Sequence, residues 1–160
     1  ILFNDISGLA VLWNVFSLMK QYSFSVKEKV MTERLEMYRC EICGNLVQVI
    51  LAGGGELVCC GQPMTLLKPN TIEDAALEKH IPVYIQRENG VEIQVGSVLH
   101  PMNDDHYIMF IESISEDRNR MKLQYLHPGQ EAKMLLEQKL GKEKALEFCN
   151  LHGLWEGESD

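Results

Sequence analysis

Four cysteines within one short segment constrain the fold of this chain more than any other feature. The segment 35–67 carries Cys40-Glu41-Ile42-Cys43, several glycines and the adjacent pair Cys59-Cys60. A segment this short is too small to form a self-sufficient core. Four thiolates suit a tetrahedral ion, which would supply the missing stability, and both zinc and iron accept such a set. The spacing therefore predicts a four-cysteine metal site without choosing the metal.

The adjacent cysteines also argue against disulfides. Neighbouring side chains of an extended backbone point in opposite directions, and a disulfide between neighbours needs a strained ring. A metal that takes both sulfurs in a distorted arrangement suits the pair better. The fifth cysteine, Cys149, makes the count odd, and with the C-x-x-C spacing this favours a metal framework in a reducing compartment.

Composition and charge exclude several functions. The 160 residues carry a formal net charge of -8, with a pI of about 5.1, which opposes binding to phosphate backbones. The longest mostly apolar stretch, 8–19, is interrupted by Asn14 and Ser17 and is too short to span a bilayer. It also lacks the flanks of a secretory signal. We expect no nucleic-acid partner, no membrane span and a cytoplasmic location.

Residues 1–30 differ from the rest of the chain. They are rich in apolar residues, contain no cysteine or histidine and end in the charged run Lys27-Glu28-Lys29. A natural start at Met31 would make them an upstream extension. The alternative is an amphipathic docking helix. We therefore predict an N-terminal extension over 1–30, a small metal domain over 31–68 and a larger domain over 69–160.

The larger domain shows the pattern of an antiparallel β-sandwich. After a linker at 68–71 and a helical turn predicted at 74–80, residues 83–86 and 91–95 flank an Asn89-Gly90 turn, which is typical of a β-hairpin. Residues 107–114 and 121–126 continue the strands around a polar turn. Residues 131–148 are ambiguous, because their leucines, lysines and glutamates favour a helix by propensity.

The five histidines supply a second group of candidate ligands. Each one alone is more often a surface or core residue than a ligand. However, Cys149-Asn150-Leu151-His152 places a thiol and an imidazole on one turn, and His100 and His106 share another. Imidazole binds iron, copper, nickel and zinc.

Several motifs together resemble the desulfoferrodoxin family, superoxide reductases with an N-terminal desulforedoxin-like iron domain. The resemblance runs from Met31 to the end, about four-fifths of the chain, and rests on these motifs: MTERLEMYRCEICGNLV, GELVCCGQPM, NTIEDAALEKHIPV, VGSVLHPM, HYI, LHPGQ and FCNLHGLW. It implies an immunoglobulin-like sandwich and two irons per chain. For 131–148 it implies strands, and we follow it there.

The resemblance also implies the ligand sets. The first iron would bind Cys40, Cys43, Cys59 and Cys60. The second, catalytic iron would have four equatorial histidines and one axial cysteine, leaving its sixth position open: His80, His100, His106, His152 and Cys149. His127 matches no ligand position, and we expect it to face solvent.

The implied activity is the one-electron reduction of superoxide to hydrogen peroxide, a detoxification that forms no oxygen. Lys79 would attract superoxide and orient a proton-donating water, and Glu78 would be able to occupy the sixth position of the oxidised iron. The expected partners are a rubredoxin-like electron donor and a second copy of the chain in a homodimer. The first iron would relay electrons or stabilise that dimer.

Two other classes of protein fit parts of the pattern. A zinc-stabilised module fused to a β-sandwich would bind one zinc, and would only carry electrons or dock a partner. A non-haem iron oxygenase would typically use two histidines and a carboxylate, which matches poorly a set of four histidines and a thiolate. Metal content separates the first alternative from a two-iron protein.

Overall fold

The computed structural model describes residues 31–71, 79–138 and 141–159, and in these ranges the protein is all β. The predicted extension over 1–30, most of the helical turn predicted at 74–80, and Glu78 lie outside the described residues. Within the described ranges, no helix has the length and hydrophobicity needed to cross a membrane. The strands are β1 Met37–Arg39, β2 Leu46–Gln48, β3 Val58–Cys59, β4 Gln62–Pro63, β5 Thr65–Leu66, β6 Pro82–Arg87, β7 Gly90–Val95, β8 Ile108–Ser115, β9 Met121–Tyr125, β10 Lys133–Leu136, β11 Glu143–Cys149 and β12 Gly153–Glu158.

The chain divides into two compact units, Ile1–Leu66 and Leu67–Asp160. The boundaries predicted from the sequence, 31–68 and 69–160, stay a prediction. In the first unit β1 is the central strand of a small antiparallel sheet between β2 and β5, and β3 pairs with β4 as a separate hairpin. These strands are only two or three residues long, which agrees with a unit that depends on a metal.

The turn of the β3–β4 hairpin explains how two adjacent cysteines serve one site. Cys59 pairs with Gln62, so Cys60 and Gly61 are the two turn residues. Both have positive φ angles, 51° and 79°, which is the conformation of a type I′ turn. The backbone at Cys60 is therefore not extended, and the alternation that would separate the two sulfurs does not apply.

The second unit is a two-layer antiparallel sandwich. One sheet has the order β10-β7-β6 and the other β12-β11-β8-β9. The core lies between them, because its buried side chains come from both sheets: Ile93, Val95, Met134 and Leu136 from the first, and Ile108, Ile111, Ala145 and Cys149 from the second. The predicted mainly-β sandwich is confirmed.

The segment 131–148 forms strands, as the family resemblance implied. Its described residues contain β10 and β11, separated by a bend, with 139–140 outside the description. In β10 the buried Met134 and Leu136 alternate with the half-exposed Leu135. Burial of one face of this segment against the core outweighs its helical propensity.

Gly96, which follows β7, makes a close approach to the backbone that carries Lys79. Its φ is +81°, and a Cβ placed there would lie 2.6 Å from both Cα and the carbonyl oxygen of Lys79. The Gly96 N–H donates to the carbonyl of Ile81 at 3.1 Å. A side chain at this position would therefore push directly on the residues that precede β6.

We predict that Gly96→Ala destabilises the second unit by more than about 1 kcal/mol, because it combines a strained φ with a steric clash. Gly129→Ala is a matched control, since Gly129 has a φ of +84° but nothing within 4 Å of its added Cβ. Denaturant unfolding of both variants measures the difference. Equal losses of unfolding free energy would show that the close approach to Lys79 is not a constraint.

Candidate metal centres

The four cysteines of the first unit form one tight cluster. Their sulfurs all lie within 4.8 Å of one another. Cys43 Sγ is 3.7 Å from Cys59 Sγ, which in turn is 3.9 Å from Cys60 Sγ. Sulfurs bound tetrahedrally to one ion at about 2.3 Å lie roughly 3.8 Å apart. All four thiols are free, so the cluster has the spacing of a metal site and not of disulfides.

Backbone hydrogen bonds shape the loop that presents Cys40 and Cys43. The Gly44 N–H donates to the carbonyl of Cys40 at 2.9 Å, and the Cys40 N–H donates to the carbonyl of Asn45 at 2.9 Å. Gly44 has a φ of 76°, so the chain reverses there without a Cβ penalty. Asn45 Nδ2 lies 3.7 Å from Cys59 Sγ and donates toward it. The loop is therefore tied to the cysteine of the opposite hairpin.

Crowding makes four ionised thiols unfavourable without a cation. Backbone N–H groups of Cys43 and Ile42 lower the pKa of Cys40 to about 7, against the effect of burial. By contrast, hydrogen bonding to Cys43 and Cys59 raises the pKa of Cys60 to about 12, and Cys43 and Cys40 raise the pKa of Cys59. A metal ion removes this conflict, because it replaces the shared protons.

The second group of ligands comes from one end of the sandwich. His80 lies just before β6, His100 and His106 lie between β7 and β8, Cys149 ends β11, and His152 lies in the loop before β12. In antiparallel sheets the end of one strand lies beside the start of its neighbour. This topology brings together five residues that are widely separated in sequence, and their donor atoms lie within 4.8 Å of one another.

The four imidazoles stand at the corners of a square. Neighbouring rings have centroids 4.5 to 4.9 Å apart and meet at 68° to 82°, whereas the diagonal pair His80 and His106 is 6.3 Å apart and tilted by only 33°. In a tetrahedral group all separations would be similar. The four rings therefore surround one point as a square and not as a tetrahedron.

Distances between donor atoms agree with a metal at the centre of this square. His80 Nε2 and His152 Nδ1 are 2.9 Å apart, and nitrogens at neighbouring corners around an ion with bonds of about 2.1 Å would be roughly 3.0 Å apart. Cys149 Sγ lies 3.4 Å from His152 Nδ1 and 3.8 Å from His100 Nε2. His106 Nε2 is buried with no hydrogen-bond partner in the structure. Buried polar atoms are normally hydrogen-bonded, so this exception is expected if the nitrogen binds a metal.

The environment of the second group favours the neutral, metal-binding form of two of its imidazoles, His100 and His106. Burial lowers the pKa of His100 to about 4, with smaller contributions from the other three rings of the square. Burial also lowers the pKa of His106, and His152 adds to this decrease. For Cys149, burial raises the pKa of the thiol, although backbone N–H groups of Leu151 and His152 oppose the increase. A bound cation would favour the thiolate.

The other residues predicted near the site are placed as follows. Lys79 is exposed and directly precedes the buried His80. Its charge is among the causes that lower the pKa of His106, after burial and His152, so it acts on the ligand group. Glu78 lies outside the described residues. His127 is exposed and is not part of the group, which confirms its expected position facing solvent.

Two residues that support the ligands were missed by sequence analysis. Trp155 is buried, its ring stacks on His80 at 4.7 Å and 20°, and its Nε1–H donates to the carbonyl of His152 at 3.2 Å. Asn150 hydrogen-bonds the loop that carries His106. Neither has a side chain that suits a metal, so ligand chemistry gave no signal. Their positions within and just after C-x-x-H were the only indication.

Comparisons with known proteins agree with both sites. The family described as "Desulfoferrodoxin, N-terminal domain" matches residues 32–67, and "Desulfoferrodoxin" matches 72–158. The desulfoferrodoxin of Syntrophotalea carbinolica is 48% identical over 128 residues, covering 80% of this chain and 99% of that protein. The superoxide reductase of Pyrococcus furiosus is 31% identical, covering 51% of this chain and 86% of that protein. The crystal structure of the superoxide reductase from Treponema pallidum has a TM-score of 0.56 at 25% identity, covering 78% of this chain and 97% of that one.

A four-cysteine cluster followed by a sandwich with a four-histidine, one-cysteine group defines a two-centre metalloprotein. The two groups match those of two-iron desulfoferrodoxins. The chain belongs to the desulfoferrodoxin family.

We predict two irons per chain, with independent loading of the two centres. Cys43→Ser removes one sulfur of the four-cysteine cluster and should reduce the iron content from about two to about one. Cys149→Ser should lower the affinity of the second centre without changing the visible spectrum of the first. Metal analysis and absorption spectra measure both effects. Loss of both irons in either variant would contradict independent loading.

Proposed function

We propose that this chain is a superoxide reductase, which reduces superoxide by one electron to hydrogen peroxide at its second centre. The observation that carries this proposal is the square of four imidazoles with the buried thiol of Cys149 beside it. We propose these five residues as ligands of the catalytic iron, and the four clustered cysteines as ligands of the first. Membership of a family that includes superoxide reductases supports the assignment.

The five proteinaceous donors leave room for a small substrate. Among the described residues, no other cysteine, histidine or carboxylate joins the group, and an octahedral ion accepts six ligands. Iron held by these five residues would supply the electron, and the thiolate of Cys149 would donate electron density to it. Neutral imidazoles with one thiolate keep the net charge of the site low and positive, which favours a small anion.

Lys79 is proposed to attract superoxide to this site and to orient a proton-donating water. The protein as a whole is acidic, with a formal net charge of -8, and therefore repels anions at long range. An exposed ammonium beside the ligand group creates a local positive field there. We also propose that Glu78 supplies a carboxylate to the sixth position when the iron is oxidised.

We predict that Lys79→Ala slows superoxide capture about tenfold at low ionic strength, and by less at high salt because screening weakens steering. Pulse radiolysis gives the second-order rate constant. Lys142→Ala removes another exposed lysine of the same unit and provides the control. A rate constant for Lys79→Ala equal to that of the control at low salt would refute the steering role.

We predict a division of labour between the two centres. Cys149→Ser should abolish most peroxide formation, because it removes the thiolate, whereas Cys40→Ser should disturb the first centre and retain superoxide chemistry when a chemical reductant is present. The measurement is peroxide yield per superoxide consumed, together with the absence of oxygen release. A Cys40→Ser protein without activity under these conditions would show that the division is wrong.

The remaining parts of the proposal concern partners and location. We propose a rubredoxin-like protein as the external electron donor, a homodimer as the assembly and the cytoplasm as the compartment. A contact surface in the first unit is supported by a groove whose lining includes four exposed apolar side chains, Val47, Ile50, Leu51 and Val58. We propose domain boundaries at 31–68 and 69–160, with 1–30 as an N-terminal extension.

A further inference from the structure

Asn150 connects the segment that carries Cys149 and His152 to the turn that carries His106. In the sequence it lies directly after Cys149 and two residues before His152. In space it contacts the residues on both sides of His106. Its backbone N–H donates to the carbonyl of Tyr107 at 3.1 Å, its Oδ1 accepts from the Tyr107 N–H at 2.9 Å, and its Nδ2 donates to the carbonyl of Asp105 at 2.9 Å.

His106 depends on this connection more than the other histidines do. His100 donates from Nδ1 to the carbonyl of Pro101 at 2.6 Å, and His80 is stacked on Trp155. By contrast, the ring contacts of His106 are with other candidate ligands, namely His80, His100 and His152. The backbone of the His106 turn is closed on itself, since Asn103 and His106 exchange N–H to carbonyl bonds at 3.0 and 3.2 Å. Asn150 ties this closed turn to the Cys149–His152 loop, beside the strand pairing of Cys149 with Ile108.

We propose that Asn150 is the positioning residue that holds His106 at its corner of the square, and thereby sets the metal affinity of the second centre. A primary amide suits this role, because it offers an acceptor and a donor from one rigid group. The two side-chain bonds to Tyr107 and Asp105 fix the backbone on both sides of His106. Groups that orient metal ligands in this way typically contribute 10–100-fold to metal affinity.

The proposal rests on the second centre of the proposed function, but its test does not involve superoxide. Cobalt(II) is titrated into the full chain against a competing chelator. The four cysteines of the first centre give thiolate-to-cobalt bands of their own, so the band of the second centre is identified as the part of the spectrum that Cys149→Ser removes. Asn150→Ala should raise the dissociation constant of this centre about 10–100-fold. Asn150→Asp keeps the acceptor for the Tyr107 N–H but loses the donor to Asp105, and an intermediate increase is expected. A failure of superoxide activity would leave these measurements unaffected.

Hydrogen exchange of the Tyr107 amide directly reports the hydrogen bond from this amide to Asn150 Oδ1. In the metal-loaded protein, exchange should be faster in Asn150→Ala than in wild type and remain slow in Asn150→Asp. Asn119→Ala is the control, since it removes an amide that hydrogen-bonds Asp117 in the β8–β9 turn, and it should change neither measurement.

Two results would overturn the proposal: an unchanged dissociation constant in Asn150→Ala, or an equal loss of affinity in the Asn119→Ala control. If Asn150→Ala does not fold, Asn150→Asp decides alone. Wild-type cobalt affinity in that variant, with Tyr107 still protected, would show that the bond to Asp105 does not position His106.

Discussion

The convergence of four imidazoles and one thiol on a single point is the constraint on which the rest of this structure depends. Nitrogen lone pairs 2.9 Å apart and a buried thiol against them are stable together only if a cation or shared protons lie between them. The sandwich is arranged to bring these donors together. β11 is irregular between Phe148 and Cys149, and Gly153 has a φ of 76° that allows the short loop 150–152 to reverse the chain. The packed core therefore fixes the positions of the five donor atoms at one end of the sandwich.

The two centres differ in environment, and this difference supports the different roles proposed for them. In the first centre Cys43 and Cys60 are exposed, whereas in the second Cys149, His80 and His100 are almost completely buried. The first set has four sulfurs and no free position, which suits an ion that stabilises a small unit or passes electrons. The second set mixes imidazole with one thiolate, and among described residues its donors number five. We therefore propose the second centre for chemistry on a small anion, although the first has the more recognisable spacing.

Most of the ligands and the β architecture could be predicted from the sequence, but the geometry that makes them a site could not. The Cys59-Cys60 pair predicted a metal that takes both sulfurs, but the turn at Cys60 and Gly61 that makes this possible became visible only in the structure. Propensity favoured a helix in 131–148, because it ignores the burial of Met134 and Leu136 by the facing sheet. The square of histidines depends on which strand ends meet, and no single segment contains that information. Trp155 and Asn150 act through ligands and not on the metal, so their residue types gave no indication.

The sequence separation between ligands differs between the two centres, and this difference predicts the order in which the centres form during folding. Cys43 and Cys59 are 16 residues apart, whereas His80 and His152 are 72 apart. Closing a short loop costs less entropy than closing a long one, and contacts that are local in sequence form earlier during folding. The cysteine cluster can thus assemble while the rest of the chain is still unfolded. The histidine square exists only after the sheets have packed. Metal binding at the second centre therefore indicates that the sandwich has folded.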